Sequence, residues 1–309
     1  MLYFERVCKV VIENRTRISI EHCKIKFEII KSYMAKDNTA KVEIYNLGRD
    51  TRELITQSDS LVTVYAGHLK NTGLVAIGSG DVTRVQTNRD RTEVVTEMYL
   101  SEGLKRVRTS PISFAFAYNS NATLSVILKE ITKQTKINFK IIEANESVQI
   151  KMGYSDAGSF DHVLDNLAIE FGFSWSIQNG VCIIKGTNEV KRREVLVLSP
   201  QTGLILHPES VKKVSRKLAK SDITKLGKNI RSVQTLLQPR VQIHDVVKLE
   251  SQDLKGLFEV QKITHIGDTR GNDWYTNFEI MPLGQGEGNL TPTDSQDLVD
   301  GKAIIDAIF

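Results

Sequence analysis

The best raw material for acid–base chemistry in this chain is one loop, Thr264-His265-Ile266-Gly267-Asp268-Thr269. An imidazole that titrates near neutrality, steadied by a nearby carboxylate, can move a proton. No nucleophile is paired with His265 or Asp268, so the residues favour a structural or interface role. His162 is flanked by Asp161 and Asp165, which suggests a second acid–base pair. Those three residues and Asn166 fall opposite Phe160, Val163, Leu164 and Leu167, and that is the pattern of a solvated helix face. Paired carboxylates such as Asp161 and Glu170 would serve glycoside hydrolysis only if they faced each other across a cleft. The histidines, His22, His68, His162, His207, His244 and His265, show no HExxH or other ligand spacing. Cys8, Cys23 and Cys182 are odd in number and far apart, and Cys8 and Cys182 read as small core hydrophobes. Neither a metal nor a cofactor is expected. Gly78-Ser79-Gly80 lacks the third glycine of a dinucleotide loop and predicts a bent strand instead.

Charge suggests binding more than catalysis. Lys212, Lys213, Arg216, Lys217, Lys220, Lys225, Lys228 and Arg231 crowd one stretch against Asp222 alone. Such a stripe can track phosphates. It lacks the interleaved aromatics of a single-strand platform, which favours a solvated loop or an acidic protein partner over nucleic acid. The net charge of +4 is too small to imply nucleic acid by itself. Beyond Gly286 the sign reverses, with Glu287, Asp294, Asp297, Asp300 and Asp306 against Lys302. Leu298, Val299, Ile304, Ile305, Ile308 and Phe309 then suit a docking peptide that orders on a partner.

The elements that must position these residues are mostly strands. The chain has 309 residues, 40% hydrophobic and 25% charged, enough for two or three globular domains. It shows no apolar run near the roughly 20 residues of a membrane span and no signal-peptide pattern, so it is expected to fold in a cytoplasm. Up to residue 118, alternating segments at 24–31, 41–47, 61–66, 75–85 and 92–100 predict a sandwich or barrel, with a short helix at 48–56. The period then changes. Leu124, Ile127, Leu128 and Ile131 mark one helix, capped by Asn121 or Thr123. Phe160, Val163, Leu164, Leu167, Ala168 and Phe171 mark a second, opened by Ser159 and ended by Gly172. Strand signals at 137–143 and 148–152, and a hairpin around Asn179-Gly180, complete a small α/β unit. Strands return at 194–198, 211–218, 230–237 and 246–250. A final hairpin, Leu257 to Ile280, turns through Gly267-Asp268 and Gly271-Asn272.

Three motifs in the last third carry a resemblance. Leu198-Ser199-Pro200-Gln201-Thr202-Gly203-Leu204, Leu236-Leu237-Gln238-Pro239 and the string THIGDTRGNDWYTNFE resemble the last domain of phage tail baseplate hub proteins of the late control protein D type. The resemblance implies an α+β, mainly β fold: two tube-type β-barrel domains, 1–118 and 188–283, flanking an inserted α/β domain, 119–187, with a flexible tail, 284–309. It also implies a homotrimer that adapts a hexameric tail tube to a trimeric central spike, with DNA as passing cargo. The tape measure and other baseplate proteins are further implied partners. His265, Asp268, Lys212, Lys213, Arg216 and Lys217 become candidate subunit or lumen contacts. Leu298, Ile304, Ile305, Ile308 and Phe309 become candidate partner contacts. A tail-associated cell-wall hydrolase and a nucleic-acid-binding module remain as alternatives. Relatives commonly place a proline-glycine turn where this chain has Ile243-His244-Asp245.

Overall fold

A computed structural model describes residues 5–14, 16–33, 38–57, 60–90, 92–102, 110–117, 123–142, 144, 153–186, 196–210, 230–251 and 254–283. The fold is α+β and mainly β, as expected. The first β unit comprises β1 (Arg6–Glu13), β2 (Arg17–Ile20), β3 (Ile25–Ser32), β4 (Thr39–Tyr45), helix α1 (Arg49–Gln57), β5 (Leu61–His68), β6 (Val75–Asp90) and β7 (Glu93–Ser101). Its pairing order is β3-β4-β7-β6-β5-β1-β2. Alternation decides which residues enter the core. In β3, Ile25, Phe27 and Ile29 point inward while Lys26, Glu28 and Ile30 take the other face. The bend expected at Gly78 is present: Val64 pairs with Gly78 and Tyr65 with Ala76, leaving Ile77 as a bulge residue. A Cβ on Gly78 would lie 2.8 Å from Ile29 Cγ2, so a larger residue at this bulge would displace the Ile29 side chain.

The inserted unit comprises β8 (Pro111–Phe116), α2 (Leu124–Thr135), β9 (Asn138–Ile142), β10 (Tyr154–Ser159), α3 (Phe160–Phe171), β11 (Phe173–Gln178) and β12 (Val181–Gly186). Its caps follow the sequence. Thr123 opens α2, Ser159 opens α3, and Gly172 ends α3 in the left-handed region at φ 65°. Asn179 and Gly180 have φ of 52° and 75°, as a type I′ turn requires. Strand β8 lies before residue 118 but pairs with β10, and its Ile112 packs with the helix residues. The change of period therefore falls one strand after the change of partner. Gln134 of α2 completes the β8 edge, accepting from Ser113 N at 3.3 Å and donating to Ser113 O at 3.0 Å.

The last unit holds β13 (Leu196–Leu198), β14 (Leu204–Ser210), β15 (Arg231–Leu236), β16 (Val246–Glu250), β17 (Lys255–Asp268) and β18 (Trp274–Pro282). Strand β17 is shared. Its first part pairs with β16, residues 262–268 pair with β3, and β18 runs along its other side. The two β units thus merge into one sheet, and no ring of strands closes among the described residues. The hairpin also divides its side chains between cores. Trp274 joins the first core, while Ile263, Phe278 and Ile280 fill the last. Gly267 makes the crossing possible, because a Cβ there would land on the Phe27 ring. Gly267→Ala is therefore expected to destabilise the chain by about 1–3 kcal/mol, measurable by equilibrium urea unfolding. The strands expected at 148–152 and 211–218 lie outside the described residues.

Candidate functional site

The loop that offered acid–base chemistry is built into the shared hairpin. His265 is 1% exposed, and its Nδ1 lies 2.9 Å from Thr276 Oγ1. The same hydroxyl accepts from Gln238 N at 3.0 Å, which leaves its proton for the imidazole. Burial, aided by the charge of Lys31, pushes His265 down to about 3. A neutral ring with so acidic a conjugate acid is a poor general base near neutrality. It also has no surface to offer a neighbouring subunit, so the expected contact role for His265 gives way to an internal one. Asp268 accepts from Arg270 N at 2.9 Å and sits 3.6 Å from Lys26 Nζ, which closes its own turn. Arg6 of β1 clasps this turn, donating to Gly271 O at 2.7 Å and Asn272 O at 3.1 Å. Its guanidinium lies 5.6 Å from the Trp274 ring centre.

The second acid–base pair separates as well. His162 is exposed and its Nε2 lies 3.2 Å from Asn166 Nδ2. Asp165 accepts from Trp175 Nε1 at 3.0 Å, a packing role. Asp161 and Glu170 line neither the cleft at Arg49 and Thr56 nor the one at His244 and Glu259. No group of histidine, cysteine and carboxylate side chains among the described residues could hold a metal. Burial raises the Cys8 thiol to about 12 and also raises Cys182, so neither is a ready nucleophile. No helix among the described residues is long and apolar enough to cross a membrane. Lys212, Lys213, Arg216 and Lys217 lie outside the described residues, as do Leu298, Ile304, Ile305, Ile308 and Phe309.

No sequence motif announces the buried polar constellation where the inserted unit meets the β body. Lys185 of β12 pairs with Glu259 of β17. The same carboxylate oxygen lies 2.7 Å from His244 Nδ1. Burial alone would raise the Glu259 carboxyl, but His244 and Lys185 outweigh it and hold it below the ordinary value. His244 sits in the Ile243-His244-Asp245 turn with a left-handed φ of 71°. That backbone is sustained by its own N–H to Val260 O at 3.0 Å and by Asp245 Oδ2 accepting from Gln242 N at 2.7 Å. A second cluster gathers at the β11–β12 turn. Lys31 Nζ donates to Asn179 Oδ1 at 2.6 Å, and Asn38 Nδ2 reaches Glu102 Oε2 and Gln178 Oε1, each at 2.8 Å. Burial lowers Lys31 and raises Glu102, as expected for charges removed from water. The only sequence sign was a row of polar residues on one face of β11, Ser174, Ser176 and Gln178.

The free edges are the other surface feature. Among the described residues the main run of the long sheet ends at β2 and β14, and β13 edges its side branch. Strand β2 is four residues long and begins with Arg17, and β14 carries two register shifts. Short, charged and bulged edges resist indiscriminate pairing.

No family model matches the chain, and no curated protein is similar to it in sequence. Solved structures are similar in fold. The 43 kDa tail protein of prophage MuSo2 from Shewanella oneidensis superposes with a TM-score of 0.58 at 13% identity, covering 89% of this chain and 98% of that one. A tail protein from Neisseria meningitidis gives 0.62 at 9% identity, covering 90% and 97%. This chain shares the fold of these two tail proteins. The E. coli c3393 protein, a type VI secretion component described as similar to the phage T4 tail proteins gp27 and gp5, gives 0.56 at 11% identity, covering 85% of this chain and 74% of that one. The fold thus occurs in both tail and secretion machinery, and the agreement runs across nearly the whole chain.

Proposed function

We propose that this chain is a structural baseplate hub of a phage tail. Three copies close a ring that adapts the hexameric tail tube to the trimeric spike and leaves a channel through which DNA passes unread. The observation that carries the reading is the joining of two β units through the β17–β3 pairing. One subunit then presents two β faces, so a three-copy ring offers a tube its matching number of faces. Each β unit serves as a tube-type barrel element, and the edge strands β2 and β14 meet neighbouring subunits. In this reading the Asp268 turn lies near a subunit contact, and Lys212, Lys213, Arg216 and Lys217 face a neighbour or the lumen. The tail residues Leu298, Ile304, Ile305, Ile308 and Phe309 dock on another baseplate component. The protein belongs in the virion tail after assembly in the host cytoplasm.

The reading assigns no catalysis. Purified protein mixed with the cognate tube and spike proteins is expected to co-purify with both and to appear at one end of tubes in electron micrographs. Cleavage of peptidoglycan that a single carboxylate substitution abolishes would instead support a hydrolase.

A further inference from the structure

The three-stranded sheet of the inserted unit has two unlike faces. Register and period place Cys182 and Ile184 of β12 on the helix side, where both belong to the unit's apolar core. Ser174, Ser176 and Gln178 of β11, with Val181, Ile183 and Lys185 of β12, take the opposite side. That side meets the β body, since Gln178 reaches Asn38 and Lys185 reaches Glu259. Ser176, Gln178 and Ile183 are buried there. Hydrogen bonds and an ion pair from Lys31, Asn38, Gln178, Asn179, Lys185 and Glu259 cross this contact, with Ile183 as a buried apolar residue of the same face. The three apolar clusters of the described residues share no member, and that of the inserted unit contains nothing from either β unit. Ser176 Oγ is buried at this face with no hydrogen-bond partner among the described residues. A cleft of about 380 Å³, lined in part by Tyr33, Phe173, Lys185, His244, Glu259 and Met281, lies beside the ion pair.

From this arrangement we propose that the inserted unit is a releasable body, held to the β sheet by two polar anchors: Lys185–Glu259–His244 and Lys31/Asn38–Gln178/Asn179. A contact held by apolar packing weakens gradually. One held by a few buried charges is lost when a single partner goes, because the remaining charge must find water. The cleft gives Lys185 room to do so. The unit keeps its own core, caps and sheet, so it can part from the body without unfolding. This inference does not depend on the hub reading, since it concerns contacts within one chain.

Two cysteines on opposite faces of one sheet supply the test. In the full-length chain, Ser176→Cys places a thiol in the joint, while native Cys182 reports on the unit's core and Cys8 on the β body. Maleimide labelling, mapped by peptide mass, is expected to be slow at position 176 in this parent. Adding Glu259→Gln should accelerate it at least tenfold, with Cys182 and Cys8 still unreactive. Lys185→Met, which leaves Glu259 its His244 contact, should give the same pattern at smaller amplitude and serves if Glu259→Gln fails to fold. The proposal is overturned if labelling at 176 does not change, if it is already fast in the parent, or if Cys182 becomes reactive in step with it.

Discussion

Trp274→Ala should destabilise the chain by about 3–5 kcal/mol, the range for removing a buried aromatic side chain. The loss should be felt in both β units. Trp274 is 2% exposed, packs edge-on to Phe27 with ring centres 5.5 Å apart, and lies beneath Arg6. Its strand continues into Phe278 and Ile280 of the other core. Removing the ring opens a cavity at the start of β18 and loosens the turn that Arg6 clasps. Hydrogen exchange should therefore accelerate in β3 and β5 and also in β15 and β18. A loss below about 1 kcal/mol, or one confined to residues 268–274, would contradict a hairpin that serves both cores.

Acid should destabilise the chain through His265. Its folded value, about 3, lies below the ordinary 6.5. The unfolded chain therefore takes up a proton at higher pH than the folded chain does. The stability this group contributes is fully present above 6.5 and declines as pH falls toward 3. At pH 4 the loss is about 3 kcal/mol relative to pH 7. Glu259, held low by His244 and Lys185, acts in the same direction at lower pH, while Glu102, raised by burial, acts in the opposite one. The contribution of His265 is isolated by comparison with His265→Gln. In urea titrations at pH 7 and 4, the variant should lose about 3 kcal/mol less than the parent over that interval. Equal losses would show that the imidazole is hydrated or already charged.

Much of the fold was legible because local signals and tertiary contacts agree. Ser159 and Gly172 bound α3, Asn179-Gly180 forms the expected turn, and the alternation of Ile25, Phe27 and Ile29 selects the core face. Strands β8 and β10 were harder. In β10, Tyr154 to Ser159 is short and polar, and it is held by pairing with β8 rather than by an apolar pattern of its own. The sharing of β17 between β16 and β3 was hidden for a similar reason. Its alternation shows that it is a strand but not which partners it takes along its length. The site was least legible. Lys185, His244 and Glu259 are far apart in sequence and individually ordinary, so only the fold reveals that they meet. His265 misled in the opposite way, because a histidine beside an aspartate suggests chemistry until burial removes its proton and its access to solvent.

The proposed ring is open to native mass measurement of the full-length protein, alone and with the spike protein, combined with particle images. Three copies in a closed ring with an axial channel are expected, present alone or formed on the spike. A compact monomer under both conditions would contradict the ring.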